Sequence, residues 1–292
     1  MKNLSSIDDV RNYWNKDNIP QVWYSKKKPL TSQWFNEISF KRFSTYYPYL
    51  KDEAEFQWHN GEDILEIGCG LGTDLKEFAK YGANVHGIDL GHDQIKLTKL
   101  NFELSELKYK YLEQGNAESL QFPDNSFDLV YSFGVLHHTP NTEKAISEVL
   151  RVLKPDGLAI IMLYARGWKH YLKRCLIQGL IKGRFFANKC NWQAVYNEIS
   201  EVNGNCPKTG VYRRSHIKKL FEQFNDVEIK KKRMGEFFEY APYQSYKLPK
   251  VANNISQILN LEALFGENWL IKAKKTAKLD RKDIFNVIFN NY

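Results

Sequence analysis

The 292-residue chain is poor in cysteine, and Cys69, Cys175, Cys190 and Cys206 stand far apart with no C-x-x-C pair. Neither a zinc site nor a disulfide framework is expected, and a reducing, cytoplasmic compartment fits that usage. Long hydrophobic runs are also missing. The longest candidate, Gly157 to Tyr164, has the length of a strand, well short of the ~18 apolar residues of a membrane span. The chain has no internal repeat and no low-complexity tract, and its opening M-K-N-L-S-S-I-D-D-V lacks the apolar core of a signal peptide. What remains is a globular composition, 43% hydrophobic and 26% charged, able to bury a sizeable core. Disordered and collagen-like classes are excluded.

Basic charge exceeds acidic by a net +8, and the excess is concentrated. Residues 61–164 carry 9 basic and 16 acidic side chains, whereas residues 165–250 carry 18 and 7. One acidic block followed by one basic block predicts two functional zones on one chain. The basic run Arg166–Arg184 interleaves Lys169, Lys173 and Arg174 with Tyr164, Trp168, His170 and Tyr171. Such a segment suits nucleic acid, an anionic metabolite or an anionic membrane surface. Its bland alternative is a solvated helix face over the active site. Leu172, Leu176, Leu180 and Ile181 recur near helical spacing, as an amphipathic lid would.

The middle of the chain alternates strand and helix patterns. D-I-L-E-I (63–67) is a short apolar strand, T-D-L-K-E-F-A-K-Y-G (73–82) a helix, N-V-H-G-I-D-L a second strand, and H-D-Q-I-K-L-T-K-L-N-F-E-L a second helix. A third strand lies within 109–117, a fourth over 126–133, and a fifth over 158–164 behind a helix stopped by K-P-D-G. Alternation of this kind predicts an α/β, doubly wound, mostly parallel sheet. After Tyr164 it breaks, and resumes with a helix over 213–224 and a strand over 226–232. The expected organisation is an aromatic-rich helical cap over 1–60, a core over 61–164 and a basic helical insertion over 165–210 acting as acceptor lid. The rest of the core follows over 211–278, and a polar tail over 279–292.

In an open α/β sheet, ligands bind outside the carboxyl ends of the strands. The first strand ends in Glu66-Ile67-Gly68-Cys69-Gly70-Leu71-Gly72, where glycines let a ligand approach the backbone. Asp89 ends the second strand, followed by Leu90, and a carboxylate there can accept both hydroxyls of a ribose. Asn116-Ala117-Glu118 follows the third strand, where an amide or carboxylate could read an adenine amino group. The fourth strand ends in Phe133-Gly134-Val135-Leu136-His137-His138. A dinucleotide dehydrogenase would share glycines and a ribose carboxylate, but its spacing is G-x-G-x-x-G, and this loop is G-x-G-x-G.

E-I-G-C-G-L-G-T-D resembles the first motif of class I S-adenosylmethionine-dependent methyltransferases, and G-I-D-L resembles their acidic second motif. A-E-S-L-Q-F-P-D-N-S-F-D-L-V-Y-S-F-G-V-L-H-H-T-P and E-V-L-R-V-L-K-P-D-G resemble the remaining landmarks of the ubiquinone/menaquinone-like branch, methyltransferase type 11. The resemblance covers about residues 61–164. It implies a Rossmann-like seven-stranded sheet and S-adenosylmethionine as cofactor, with S-adenosylhomocysteine as product. Position by position, Gly68, Cys69, Gly70 and Gly72 would meet the methionine portion, with Glu66 near its ammonium. Asp89 and Leu90 would hold the ribose, Asn116, Ala117 and Glu118 would frame the adenine, Phe133 would line the transferring methyl, and Gln94 would cover the adenosine.

Methyl transfer is in-line displacement at an activated sulfonium, so the protein supplies orientation and a dry site, with a base where the acceptor carries a proton. His138 or His137 could be that base, and either could instead be a packed core histidine. Cys69 reads as a filler of the loop. Tyr131-Ser132-Phe133-Gly134 stands where base- and glutamine-methylating enzymes resemble N-P-P-Y, which argues against exocyclic amines of nucleic acid. Tyr13, Trp23, Tyr24, Arg166 and Lys169 are candidates for acceptor contact. The expected activity is methylation of an oxygen or nitrogen of a small, anionic or lipid-like acceptor. An RNA methyltransferase and a cofactor-binding protein without transfer activity are the alternatives.

Overall fold

The computed structural model describes residues 5–15, 25–167, 170–201, 204–232 and 266–276. Trp23, Tyr24, Lys169 and the tail over 279–292 fall outside them. The described part opens with helices α1 (Ile7–Trp14), α2 (Ser32–Lys41) and α3 (Leu50–Glu53). Ser6 and Asp9 form a reciprocal capping box that starts α1 and occupies two otherwise unpaired amides. Then β1 (Asp63–Ile67), α4 (Thr73–Lys80), β2 (Asn84–Asp89), α5 (His92–Glu103), β3 (Tyr111–Gln114), β4 (Phe127–Phe133), α6 (Thr142–Val152) and β5 (Leu153–Tyr164) alternate as the periodicity predicts. A π-helix (His170–Ile181), α7 (Arg184–Ala187) and α8 (Trp192–Ile199) form the insertion, before α9 (Arg214–Leu220), β6 (Asn225–Lys232) and β7 (Asn268–Lys274).

The sheet has seven strands in the order β3-β2-β1-β4-β5-β7-β6. Strands β1 to β5 pair in parallel, and β7 runs antiparallel between β5 and β6. Periodicity leaves β7 unassigned, because N-W-L-I-K-A-K carries no strict alternation. Lys154-Pro155-Asp156-Gly157, expected as a helix stop, is drawn into β5: Asp156 N–H donates to Lys275 O at 2.6 Å and Lys275 N–H to Gly157 O at 3.0 Å.

Alternate strand residues feed two apolar layers. Leu65, Ile67, Val130, Ile161 and Ile271 face Ile146 and Val149 of α6 and Ile217 of α9. Ile64, Val85, Leu129, Ile160 and Leu270 face Leu75 and Phe78 of α4 and Ile95 and Phe102 of α5. Strands buried on both faces are mostly apolar, which explains the hydrophobic stretches I-L of β1, L-V-Y of β4 and L-A-I-I-M-L of β5.

One charged pair ties the N-terminal helices to this core. The Arg42 guanidinium, just past α2, makes a two-pronged contact with the Asp74 carboxylate in the first turn of α4. The two side chains are 6% and 2% exposed. Tyr131 O–H donates to the same carboxylate at 2.7 Å, and the guanidinium lies over the Tyr47 and Phe133 rings at 5.1 and 4.9 Å. Removing one partner strands a buried charge, at a cost of about 3–5 kcal/mol. Asp74→Ala is expected to lose that much in urea denaturation, and Arg42→Met with Asp74→Leu to lose far less. A single change costing below about 1 kcal/mol would contradict the anchoring role.

Candidate active site

The turn between β1 and α4 is built on backbone conformations that favour glycine. Gly68 sits at φ 81°, and its amide and that of Cys69 donate to Ile88 O at 2.7 and 3.1 Å. A Cβ on Gly68 would lie 2.3 Å from Val135 Cγ2, so the bare backbone is what admits the loop after β4. Gly72, at φ 70°, serves packing instead, because its missing Cβ makes room for Thr98 of α5. Gly68 and Gly70 line the cleft that opens beside them, whereas Cys69 and Gly72 do not. The Cys69 thiol is buried among Leu75 and Leu112, and burial, then the nearby Asp89 and Glu66, push its ionisation well upward. It packs as a filler.

Asp89, at the carboxyl end of β2, holds the loops together from inside the cleft. Its two oxygens accept from Gly70 N–H at 3.0 Å and Gly91 N–H at 2.9 Å. Burial raises its carboxyl to about 6, against the lowering effect of those amides. Leu90, Gly115, Asn116 and Ala117 continue the same wall. Glu118 leaves it: its carboxylate accepts from Asn141 N–H at 2.6 Å, beside the start of α6. Gln94 does line the cleft, but its amide nitrogen donates to Trp14 O, so it fastens α1 over the site. His92 N–H donates to Asn15 Oδ1 at 3.1 Å in the same join.

Glu66 faces the α4 side of the sheet, where Leu75 N–H donates to it, and is not part of the cleft wall. Burial, then the Asp74 charge, hold its carboxyl well above the usual range, and Arg42 opposes them. Its Oε2 is buried without a hydrogen-bond partner. Arg42 itself lines the cleft next to Tyr47 and Phe133. Sequence reading missed it, because nothing in F-K-R-F distinguishes that cation from its neighbours until the fold brings it to Asp74.

The far end of the cleft is formed by β4, β5, α1 and the insertion. His138 lines it, with Nδ1 2.8 Å from Lys208 O. A carbonyl only accepts, so Nδ1 carries the hydrogen and Nε2 is turned toward Glu201 Oε1 at 3.6 Å. The Glu201 side chain, 8% exposed, accepts from Tyr164 O–H at 3.3 Å. Trp14 meets the His138 ring edge-on at 5.0 Å. Tyr13 touches Trp14, and burial, then Cys206 and Glu201, raise its phenol. His137 is fully buried, 3.8 Å from the Tyr164 ring, and does not line the cleft. Arg166 is exposed and its amide donates to Tyr212 O. Glu201 was invisible in sequence for a plain reason: it lies 63 positions past His138 in a segment of no regular pattern.

Together the walls enclose about 1050 Å³ of empty space, the part open to solvent included. Gly68→Ala is expected to cost about 2–4 kcal/mol through the positive φ and the clash, measured as a drop in Tm. Val135→Ala added to it should recover the clash part. A Gly68→Ala protein as stable as the wild type would show that the close approach is not needed.

Residues 65–161 match the profile of the methyltransferase domain family. Phosphoethanolamine N-methyltransferase 2 of Caenorhabditis elegans is 33% identical over 158 residues, 52% of this chain and 36% of that protein. A sterol 24-C-methyltransferase of Gibberella zeae is 39% identical over 136 residues, 43% of this chain and 36% of that one. The chain thus spans about a third of the length of these curated relatives. Geranyl diphosphate C-methyltransferase from Streptomyces coelicolor A3(2) shares the fold, with a TM-score of 0.57 at 12% identity over 92% of this chain and 98% of that one. The matched residues 65–161 supply β1 through most of β5 and the loops at their carboxyl ends.

Proposed function

We propose that the chain transfers the methyl group of S-adenosylmethionine to a small acceptor. The observation that carries this reading is one continuous cleft holding Gly68, Asp89, Asn116 and Phe133 at one end and His138 beside Glu201 at the other. The residues present fit the cofactor. Asp89 presents a carboxylate at a strand end, where a ribose would meet it, and Gln94 Oε1, in the lining, is a buried acceptor without a partner. Gly68 and Gly70 would meet the methionine portion and Arg42 its carboxylate, while Asn116 and Ala117 would frame the adenine. The cofactor supplies a methyl group on an already activated sulfonium.

The chain's own residues do the rest. Phe133, Tyr47, Met162 and Trp14 exclude water from the space between the two ends. Lys208 O fixes the His138 tautomer, so Nε2 can take a proton from a hydroxyl or ammonium acceptor as the methyl moves. Glu201 then stabilises the imidazolium. The N-terminal helix, fastened by Gln94, is the cap, and the insertion that brings Glu201 is the lid. Among the described lining residues the cation is Arg42, which is already paired with Asp74. Apolar side chains and a carboxylate at the acceptor end favour an apolar or amine-bearing acceptor over an anionic one.

Labelled methyl transfer tests the reading. Methyl-labelled S-adenosylmethionine incubated with metabolite, lipid and RNA fractions should label a small molecule or lipid, and label confined to RNA would overturn it. With the acceptor so found, His138→Gln should lower kcat by about 10²–10⁴ and leave S-adenosylhomocysteine affinity within about threefold. Unchanged kcat would remove the base. Ribose hydroxyls would donate to ionised Asp89, whose carboxyl is raised by burial to about 6. Affinity for S-adenosylhomocysteine should therefore fall as pH drops through about 6, to roughly a tenth at pH 5 of its value at pH 7. Asp89→Asn should bind weakly and flatly with pH. A wild-type slope kept in that variant would assign the titration elsewhere.

A further inference from the structure

The insertion carries a surface that methyl transfer does not use. Leu176, Ile177, Leu180 and Ile181 of the π-helix are exposed, Ile181 to 74%. Their spacing of four and five matches the ~4.4-residue turn of a π-helix, so they form one stripe on one face. Phe186 of α7, 67% exposed, and Trp192 at the start of α8 extend it. Six of the twelve large apolar side chains exposed among the described residues thus fall between 176 and 192. The three short elements are locked together beneath the stripe: Phe185 stacks on Trp192 at 4.2 Å, and a Cβ on Gly179 would lie 2.3 Å from that indole. The exposed residues are therefore held in place and are not the frayed edge of a loop.

Charge says what covers them. Between Ala165 and Asn197 the sequence has seven basic residues and no acidic one. Among those described, Lys182 and Lys189 are exposed and flank the apolar tip, whereas Arg184 is paired with Glu198. A second copy of this chain would bring the same positive charge against itself. An apolar stripe edged by lysines matches the interface of an anionic bilayer, into which the apolar groups sink while the cations meet phosphates. No helix among the described residues is long and apolar enough to cross a membrane, so the contact is one of lying on the surface. We infer that residues 176–192 dock the protein on anionic phospholipid.

The location suits the site. Trp192 opens α8, which is about 11 Å long at helical rise, and Glu201 follows two residues after its end. Docking would thus set the acceptor end of the cleft close to the lipid headgroups. The docking does not rest on the methyltransferase reading, and it is tested without turnover.

Sedimentation with phosphatidylcholine vesicles, with and without about a third phosphatidylglycerol, reads it directly. Binding should be at least about tenfold tighter to the anionic vesicles and weaken with salt. Ile181→Asp and Phe186→Asp should each reduce it about tenfold, and Lys182→Glu with Lys189→Glu should abolish the preference for phosphatidylglycerol. Trp58→Asp, at an exposed aromatic before β1, should bind as the wild type does. Each variant's thermal unfolding should match that of the wild type, which shows that the fold is intact. Equal binding to both vesicle types would overturn the proposal. So would a dimer in solution that Ile181→Asp dissociates, or tight RNA binding that the lysine changes remove.

Discussion

Between β1 and β4 the sheet changes direction: the chain builds outward through β2 and β3 on one side, then returns to add β4 and β5 on the other. Helices following β1 and β4 therefore leave on opposite faces, and the loops that start them part. The cleft is this parting. Its depth is set by one close contact, Gly68 against Val135, which pins the β1 loop to the β4 loop at the bottom of the opening. Asp89 finishes the construction by accepting amides from the β1 loop and from its own loop. A carboxylate placed this way is costly to keep ionised, as its raised value of about 6 shows. Hydroxyl donors from a ligand would lower that cost.

The two ends of the cleft differ in their electrostatics. At the β1 end a buried network of Arg42, Asp74, Tyr131 and Glu66 sits under the wall, with the cation balanced by its carboxylate partner. It ties α2 to α4 and leaves the guanidinium edge in the lining. At the other end His138 is oriented by a backbone carbonyl and faced by Glu201, which comes from outside the sheet. The core thus supplies one half of the cleft. The insertion completes the other half, so any movement of the insertion would be felt at Nε2 of His138.

The parallel core was legible because burial on both faces forces apolar strands, and because each strand end carries a residue type that a ligand needs. Gly68, Gly70, Asp89, Leu90, Gln94, Asn116, Ala117, Phe133 and His138 all line one cleft. Glu66, Cys69, Gly72, Glu118 and His137 do not, and the cause is the same for each: a position next to a ligand-facing residue points the other way or is spent on packing. Adjacency in sequence cannot tell the two apart where strands alternate faces. Arg42, Tyr47, Tyr164 and Glu201 were not legible as site residues, since only tertiary contacts bring them to the cleft. Seven strands were expected, but β7 was not located, because N-W-L-I-K-A-K has no strict apolar–polar alternation.

Calorimetric titration of the wild-type chain with S-adenosylhomocysteine, and separately with NAD, tests the central claim most directly. The G-x-G-x-G turn against Val135 and the ribose carboxylate at Asp89 predict one S-adenosylhomocysteine bound per chain and no heat from NAD. Binding of NAD in place of S-adenosylhomocysteine, or of neither, would contradict it.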